Sequence, residues 1–241
     1  PAPEPHAKGY LSPAAVASLA AAVPEPSEMG SPVRLADQAL SDKYRALENS
    51  DSWLLATAHA EMRHVLARQH FDCAMGVRFA ATPTPRLTVL FEKLLHDADS
   101  VAEMVKARSA RPRPVGVDPL RPACQRVSEA GRASASYPSG TAAVGTAYAE
   151  ALAAASPEQA AALRVMGHEI SISRAVCAMH YPADVAAGEA VGRAVFAEAS
   201  ATPAFQADLT AARTELAQVR ATGLTNPGCA SERAALATPP F

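Results

Sequence analysis

The chain has 241 residues and a formal net charge of −2, and 49% of its residues are hydrophobic but only 5% aromatic. This length suits one large domain that buries a sizeable core. The near-neutral charge argues against a general nucleic-acid binder, and no window reaches the roughly 18 apolar residues needed to span a bilayer. Because alanine is the best helix former and no stretch alternates at period two, we predict an all-α fold, a compact single-domain helical bundle.

Prolines are concentrated at the start of the chain. Residues 1–36 show little periodicity beyond one short predicted helix after Pro13, and we interpret them as a proline-rich segment on the surface. The all-α domain is predicted to span residues 37–222. Residues 223–241 are expected to form a C-terminal tail that is pinned through Cys229.

Apolar residues at three-to-four spacing predict helix from about Leu35 to Gln69, with an interruption near residues 50–52. Thr84–Pro85 predicts the start of a second helix. That helix should end near Ala110, because the prolines of the following Arg-Pro-Arg-Pro stretch exclude helical geometry. Four later helix starts are predicted at Pro138–Thr141, Ser156–Pro157, Tyr181–Pro182 and Thr202–Pro203.

The cellular compartment is left open by the residues alone. Four cysteines without Cys-x-x-Cys spacing argue against a zinc site. They fit two disulfides in an oxidising compartment or four buried thiols equally well. The chain begins at Pro1 rather than at methionine, so we interpret it as a mature or trimmed product, which leaves room for a removed signal peptide.

His180 and Asp184 are the first candidate catalytic residues. Pro182 suits the first position of a helix and so places Asp184 in the first turn. We expect the Asp184 carboxylate to accept a hydrogen bond from one nitrogen of His180, which would leave the other nitrogen free as a nucleophile. Taken alone, the pair also fits a helix cap beside a surface histidine.

Phosphate-binding groups are predicted at two further places. Ser139–Gly140 opens a helix, where a hydroxyl and exposed amides can receive an anion. Lys106, Arg113 and Arg174 supply fixed positive charge of the kind that stabilises a transferring phosphoryl group. Any one of these cations taken singly also fits a solvated surface charge.

The order and spacing of these residues resemble a known signature. Lys106 is followed after six residues by Arg113-Pro114, then by SYPSG, then by Ser173-Arg174, five residues, His180, three residues and Asp184. This pattern resembles the three-part signature of the type 2 phosphatidic acid phosphatase superfamily, and within it the soluble class A bacterial non-specific acid phosphatases. The similarity extends from about Leu87 to Gln218.

The resemblance implies an all-α bundle of the acid phosphatase and vanadium haloperoxidase type. His180 would become phosphorylated and Asp184 would orient it. The remaining motif residues would surround the phosphate oxygens, namely Lys106, Arg113, Ser139, Gly140, Thr141 and Arg174. The cysteine positions of such relatives favour a Cys124–Cys177 bridge, leaving Cys73 and Cys229 for a second.

The resemblance also implies a setting for the reaction. Such enzymes use no metal or other cofactor, act on small-molecule phosphomonoesters, release inorganic phosphate, and work in the periplasm or after secretion. They are usually homo-oligomers. Neither nucleic acid nor a membrane is expected as a partner.

The chain departs from the family pattern at one catalytic position. The pattern reads Pro-Ser-Gly-His, but Thr141 stands where the histidine would donate a proton to the leaving alkoxide. Threonine has no proton to give at useful pH, so we predict a weak or leaving-group-selective enzyme unless His168 or a water substitutes. Arg111 is also followed by proline, although the spacing favours Arg113 as the phosphate ligand.

Three functions therefore remain open. The first is a metal-independent acid phosphatase with a phosphohistidine intermediate. The second is a catalytically impaired relative that binds phosphate. The third is a vanadate-dependent haloperoxidase, which is disfavoured because the residues outside the motifs resemble those of the phosphatases. His59 and His64 are five residues apart, a spacing that does not predict a metal site.

Overall fold

The computed structural model describes residues 8–237, and within them it contains helices but no strand. The α-helices are α1 Pro13–Ala22, α2 Pro32–Lys43, α3 Asp51–His59, α4 His64–Ala67, α5 Asp72–Met75, α6 Pro85–Lys106, α7 Pro114–Val117, α8 Glu129–Ala133, α9 Gly140–Ala155, α10 Ala160–Val176, α11 Pro182–Ser200, α12 Pro203–Ala221 and α13 Cys229–Leu236. Short 3₁₀ helices lie at Tyr44–Leu47, Arg68–Phe71, Phe79–Ala81 and Pro157–Gln159. The predicted all-α fold is confirmed.

Helix α9 is the centre of the bundle and packs against α6, α10 and α11. Its residues are mostly alanine and glycine and nearly all are buried, so the neighbouring helices approach its backbone closely. On the α6 side, Phe91 stacks on Tyr148 of α9 with ring centroids 3.8 Å apart. On the α11 side, Gly188 and Gly192 lie against main-chain carbonyl oxygens of α9, where a Cβ atom would clash.

The predicted helix over residues 35–69 is broken more often than its periodicity indicated. Asn49 adopts a left-handed backbone (φ 63°), and Ser50 then caps α3 through its side chain. Beyond α3, the chain continues in the short α4, a 3₁₀ turn and α5 rather than in one long helix. Helix α6 ends at Lys106, four residues before the predicted end at Ala110.

Both chain ends carry more helix than the sequence indicated. Helix α1 is present as predicted, but α2 begins at Pro32 and crosses the expected boundary at residues 36 and 37. The region predicted as a tail contains α13, which packs against α3. The two disulfides join Cys73 to Cys229 and Cys124 to Cys177, so the predicted pairing is confirmed.

Candidate active site

His180 lies in the tight connection between α10 and α11. Helix α10 ends at Val176, and Ala178 then takes a left-handed backbone (φ 57°) that reverses the chain. The amides of Met179 and His180 both donate to the carbonyl oxygen of Arg174, at 3.1 and 3.3 Å. This turn holds the imidazole inside the protein, where His180 is 2% exposed.

The two ring nitrogens of His180 have different partners. Nδ1 lies 2.7 Å from the carbonyl oxygen of Ser136, and because a carbonyl only accepts, Nδ1 carries the proton. Nε2 is then unprotonated and accepts from Nη1 of Arg113 at 3.0 Å. Burial, with the charges of Arg113, Arg174 and Lys106, holds the pKa of His180 well below its usual value. His180 is therefore a neutral imidazole with its lone pair on Nε2.

The expected hydrogen bond from His180 to Asp184 is absent. Nδ1 of His180 is 4.0 Å from Oδ2 of Asp184, because the Ser136 carbonyl occupies the nearer position. Oδ2 of Asp184 instead accepts from the Ser136 hydroxyl at 2.6 Å and from the Tyr181 amide at 2.8 Å. Asp184 therefore contacts the residue that holds the imidazole rather than the imidazole itself.

The two neighbouring Arg-Pro arginines have separate partners. Arg113 donates from Nη1 to the Met179 carbonyl oxygen at 3.0 Å and contacts His180 as described. Arg111 is 2% exposed, hydrogen-bonds Asp37 and lies 2.7 Å from Oδ1 of Asp184. Arg113, which the spacing favoured as the phosphate ligand, is thus the one of the two that contacts His180, and its role as a phosphate ligand stays a prediction.

The buried guanidinium groups of Arg113 and Arg174 have no carboxylate partner within residues 8–237, and the same holds for that of Arg34, which donates to the Ser27 carbonyl oxygen. Arg174 is 4% exposed; its Nη1 donates to Oε1 of Gln125 at 3.1 Å and its Nε has no partner. Burial and the charge of Arg113 lower the pKa of Arg174 to about 10, which still leaves it charged at neutral pH. Unpaired buried charges are costly, so this arrangement suits a site that an anion completes.

The start of α9 forms another wall of the same site. The Ser139 hydroxyl accepts from the Ala142 amide at 3.3 Å, and the Ser139 amide donates to the Asp184 carbonyl oxygen at 2.9 Å. A Cβ atom at Gly140 would lie 3.4 Å from Nζ of Lys106 and 3.5 Å from Oδ1 of Asp99. Glycine at this position therefore brings the helix start beside a cation and a carboxylate, which a methyl group there would already contact.

Thr141 follows in the first turn of α9 and is partly exposed. His168 is not beside it: Nδ1 of His168 lies 2.7 Å from Oε1 of Glu189 on the outer face of α10 and α11. The cavity there is lined by none of the predicted site residues. The suggested role of His168 as a replacement acid therefore has no support in the geometry.

Some residues of the site were not predicted. Ser136 stands directly before the Tyr-Pro-Ser-Gly motif, and its position there was a usable signal. Asp37 lies far before the first motif and Gln125 lies between the first and second motifs, and neither carries such a signal. No group of three or more His, Cys, Asp or Glu side chains in the described part of the chain is arranged to hold a metal ion. Among the helices of residues 8–237, none combines the length and the hydropathy that a membrane span requires.

Comparisons with known proteins agree on one family. The family model described as "PAP2 superfamily" matches residues 88–206, which include every predicted site residue. An acid phosphatase of Zymomonas mobilis is 30% identical over 83% of this chain and 76% of its own length. Non-specific acid phosphatases of Salmonella typhimurium and Providencia stuartii are 31% and 28% identical, over 80% and 88% of this chain and 78% and 86% of their own lengths.

Proposed function

This chain belongs to the PAP2 superfamily, among the relatives of the bacterial non-specific acid phosphatases, and we propose that it hydrolyses phosphomonoesters through a phosphohistidine formed on His180. The observation that carries the proposal is that two buried guanidinium groups near the neutral imidazole have no carboxylate partner within residues 8–237: that of Arg113, which contacts His180, and that of Arg174, whose charge helps to lower the pKa of His180. A tetrahedral oxyanion supplies the missing negative charge and accepts the forked N–H groups.

Phosphate binding rearranges the hydrogen bonds around the nucleophile. Nη1 of Arg113 turns from Nε2 of His180 to a phosphate oxygen, which frees the lone pair. Arg174 has its unpartnered Nε available for another oxygen. Lys106, which pairs with Glu103 at 2.6 Å, and the first amides of α9 next to Gly140 bind the remaining oxygens.

In the first step, Nε2 forms a bond to phosphorus while the phosphorus–oxygen bond to the leaving group breaks. The leaving oxygen departs with the bond electrons and takes up a proton. The phosphorylated imidazole becomes cationic, and the Ser136 carbonyl at Nδ1 stabilises it. In the second step, a water attacks phosphorus, inorganic phosphate leaves, and the neutral imidazole returns.

The depressed pKa of His180 suits a nucleophile that must stay unprotonated at acidic pH. A histidine with an ordinary pKa is protonated below about pH 6.5 and then has no lone pair. Burial and the nearby cations keep His180 neutral at lower pH. The positive charge that the transition state needs comes from Lys106, Arg113 and Arg174, so the proposed mechanism requires no metal ion.

The proposal extends to the setting of the enzyme. We place it in the periplasm or outside the cell, because the two disulfides persist only in an oxidising compartment. The resemblance to the class A enzymes supports a homo-oligomer that accepts several small phosphomonoesters.

The test is hydrolysis of p-nitrophenyl phosphate by the wild-type chain, by His180→Ala and by His168→Ala. We expect the wild type and His168→Ala to turn over alike, with EDTA present or absent, and His180→Ala to lose at least about 10³-fold, as expected when a covalent nucleophile is removed. Quenching in alkaline denaturant should trap an acid-labile phosphoryl group on the wild type and on His168→Ala, but not on His180→Ala. Full activity of His180→Ala would contradict the proposal.

A catalytically impaired phosphate-binding protein is the second candidate, and Thr141 is the observation that favours it, because the side chain carries no titratable proton. Calorimetry with inorganic phosphate and with vanadate tests it. Binding of both without turnover of p-nitrophenyl phosphate would establish this second function and exclude the first.

A further inference from the structure

The leaving-group oxygen needs a proton, and the side chain at position 141 does not supply one. General acid catalysis contributes typically about 10²–10⁴-fold, most for poor leaving groups such as alkoxides. His180 has its only proton on Nδ1, held by the Ser136 carbonyl. The proton must therefore come from another side chain near the start of α9, on whichever helix that side chain lies, or from water.

Asp99 of α6 has its carboxyl close to the start of α9. It precedes Lys106 by seven residues on α6, so the two side chains share one face of the helix two turns apart. Oδ1 of Asp99 would lie 3.5 Å from a Cβ atom at Gly140, and Nζ of Lys106 would lie 3.4 Å from the same point. The carboxyl of Asp99 therefore lies beside Lys106 and the backbone of Gly140, the residue that precedes Thr141.

The carboxyl of Asp99 has no hydrogen bond or ion pair within residues 8–237, although acidic neighbours along α6 are occupied. Asp97 accepts from the amides of Tyr10 and Leu11, and Glu103 pairs with Lys106. Asp99 is also exposed to solvent, so it can regain a proton from water after each turnover. A free carboxyl at the rim of an anion site is placed to act on a bound ester.

We propose that Asp99 is the general acid of this enzyme, taking over the role of the histidine that Thr141 replaces; this inference rests on the proposed phosphatase function. As the ester P–O bond breaks, the carboxylic acid of Asp99 gives its proton to the leaving oxygen and becomes a carboxylate. In the second step, the carboxylate takes a proton from the attacking water, and the Nε2–P bond breaks. The alcohol and inorganic phosphate leave, and both side chains return to their starting forms.

The charges around Asp99 favour this role in acid. Partial burial, and next the negative charge of Glu103, raise the pKa of Asp99, while Lys106 and His96 act in the opposite direction. A raised pKa keeps a larger share of the carboxyl protonated at acidic pH, which is the form that donates. The prediction is that activity on poor leaving groups falls as the pH rises through the pKa of Asp99.

The experiment compares p-nitrophenyl phosphate with an alkyl phosphate, in the wild type and in Asp99→Asn. We expect Asp99→Asn to lower kcat/KM on the alkyl ester by at least about 10²-fold and to change the nitrophenyl ester little, because nitrophenolate leaves without a proton. In Asp99→Asn, the alkaline limb of the pH profile of kcat/KM on the alkyl ester should also disappear. Glu103→Gln removes the neighbouring charge that raises the pKa of Asp99, so it should shift this alkaline limb to lower pH rather than abolish it.

A rescue variant keeps the test independent of folding. Thr141→His in the Asp99→Asn background restores a proton donor to the same region and should recover the alkyl phosphate rate. Equal loss on both substrates, or no loss on either, would overturn the role of Asp99. In those cases the dependence of nitrophenyl phosphate hydrolysis on His180 would still stand, whereas a His180-independent enzyme would remove both proposals together.

Discussion

The Nδ1–H of His180 donates to the main-chain carbonyl oxygen of Ser136, at 2.7 Å, and the same serine donates its hydroxyl to Asp184, at 2.6 Å. Ser136 thus stands between the imidazole and the carboxylate. A carbonyl oxygen fixes the tautomer of His180 as well as a carboxylate does. Asp184, fully buried, then acts on the nucleophile through Ser136 and, at 4.0 Å, through its charge.

Ser136→Ala separates these two influences. The variant keeps the carbonyl that holds His180 but loses the hydroxyl bond to Asp184, so we expect kcat on p-nitrophenyl phosphate to fall several-fold with KM unchanged. The free energy of unfolding should fall by about 1 kcal/mol, as for one buried hydrogen bond. Stopped-assay kinetics and urea unfolding measure the two effects.

Ser171→Ala is the matched control, because Ser171 is buried and donates to the Gly167 carbonyl oxygen within α10, away from the imidazole. It should lower stability by a similar amount and leave kcat unchanged. If both serine variants lost kcat equally, Ser136 would have no positioning role.

Arg111 and Arg113 should fail in different ways when each is replaced by methionine. Arg111→Met leaves the buried carboxylates of Asp37 and Asp184 without their cation, so we expect a loss of about 3–5 kcal/mol in the free energy of unfolding. Arg113→Met removes no ion pair and should leave stability nearer to wild type. Its effect should be weaker phosphate binding and a higher KM.

The measurements are urea unfolding and calorimetric titration with inorganic phosphate. At saturating phosphate, wild-type stability should rise, whereas that of Arg113→Met should rise less. If the Arg111→Met variant folded with wild-type stability, the ion pair between Arg111 and Asp184 would be dispensable for folding.

The sequence was sufficient for the helical class, because this depends on local helix signals, and the family resemblance was sufficient for both disulfides. The roles of the predicted site residues stay predictions. It was insufficient for the partners of Asp184. Its position in the first turn of α11 was correct, but the first-turn geometry did not reveal that Ser136, 48 residues earlier, occupies the space beside the imidazole. That contact depends on how α9 packs against α11.

The partners of Arg111 were also beyond what the sequence indicates. The motif spacing distinguished Arg111 from Arg113, but no nearby residue indicated that Arg111 binds Asp37, 74 residues away. The interruption near residues 50–52 was predicted, and the left-handed Asn49 lies directly before it, but the break between the end of α3 at His59 and the start of α4 at His64 was missed. Long-range ion pairs and left-handed turns leave little trace in a single sequence.

Gly188 couples the packing of α11 to the phosphate site. A Cβ atom there would clash with the Ser139 carbonyl oxygen, and at Gly192 with that of Ala143, one turn further along α9. Gly188→Ala and Gly192→Ala should each cost about 1–3 kcal/mol of stability, because the close-packed backbones must separate. Only Gly188→Ala displaces Ser139, so we expect it alone to raise KM substantially in steady-state assays. Similar KM values in the two variants would contradict this coupling.

Buried His59 should make the protein less stable in acid. It is 1% exposed, its Nδ1 lies 2.8 Å from the Ser173 hydroxyl, and burial lowers its pKa from 6.5 to about 3. Between these values the unfolded chain binds a proton that the folded chain does not, so the free energy of unfolding falls as the pH drops from about 6.5 towards 3. A shift of this size corresponds to roughly 5 kcal/mol. His180, whose pKa is also depressed, adds a loss of the same sign.

His59→Gln isolates this contribution, because glutamine does not titrate. The variant should be less stable than wild type at pH 7, where the bond to Ser173 is perturbed, but its stability should depend less on pH. Between pH 6 and pH 4, the slope should decrease by about 1.4 kcal/mol per pH unit, the value for one proton. Urea unfolding at several pH values measures it, with His64→Gln at a more exposed position as the control. An unchanged slope in His59→Gln would mean that His59 is protonated in the folded protein, and the buried imidazole would then need a counter-charge that its surroundings do not provide.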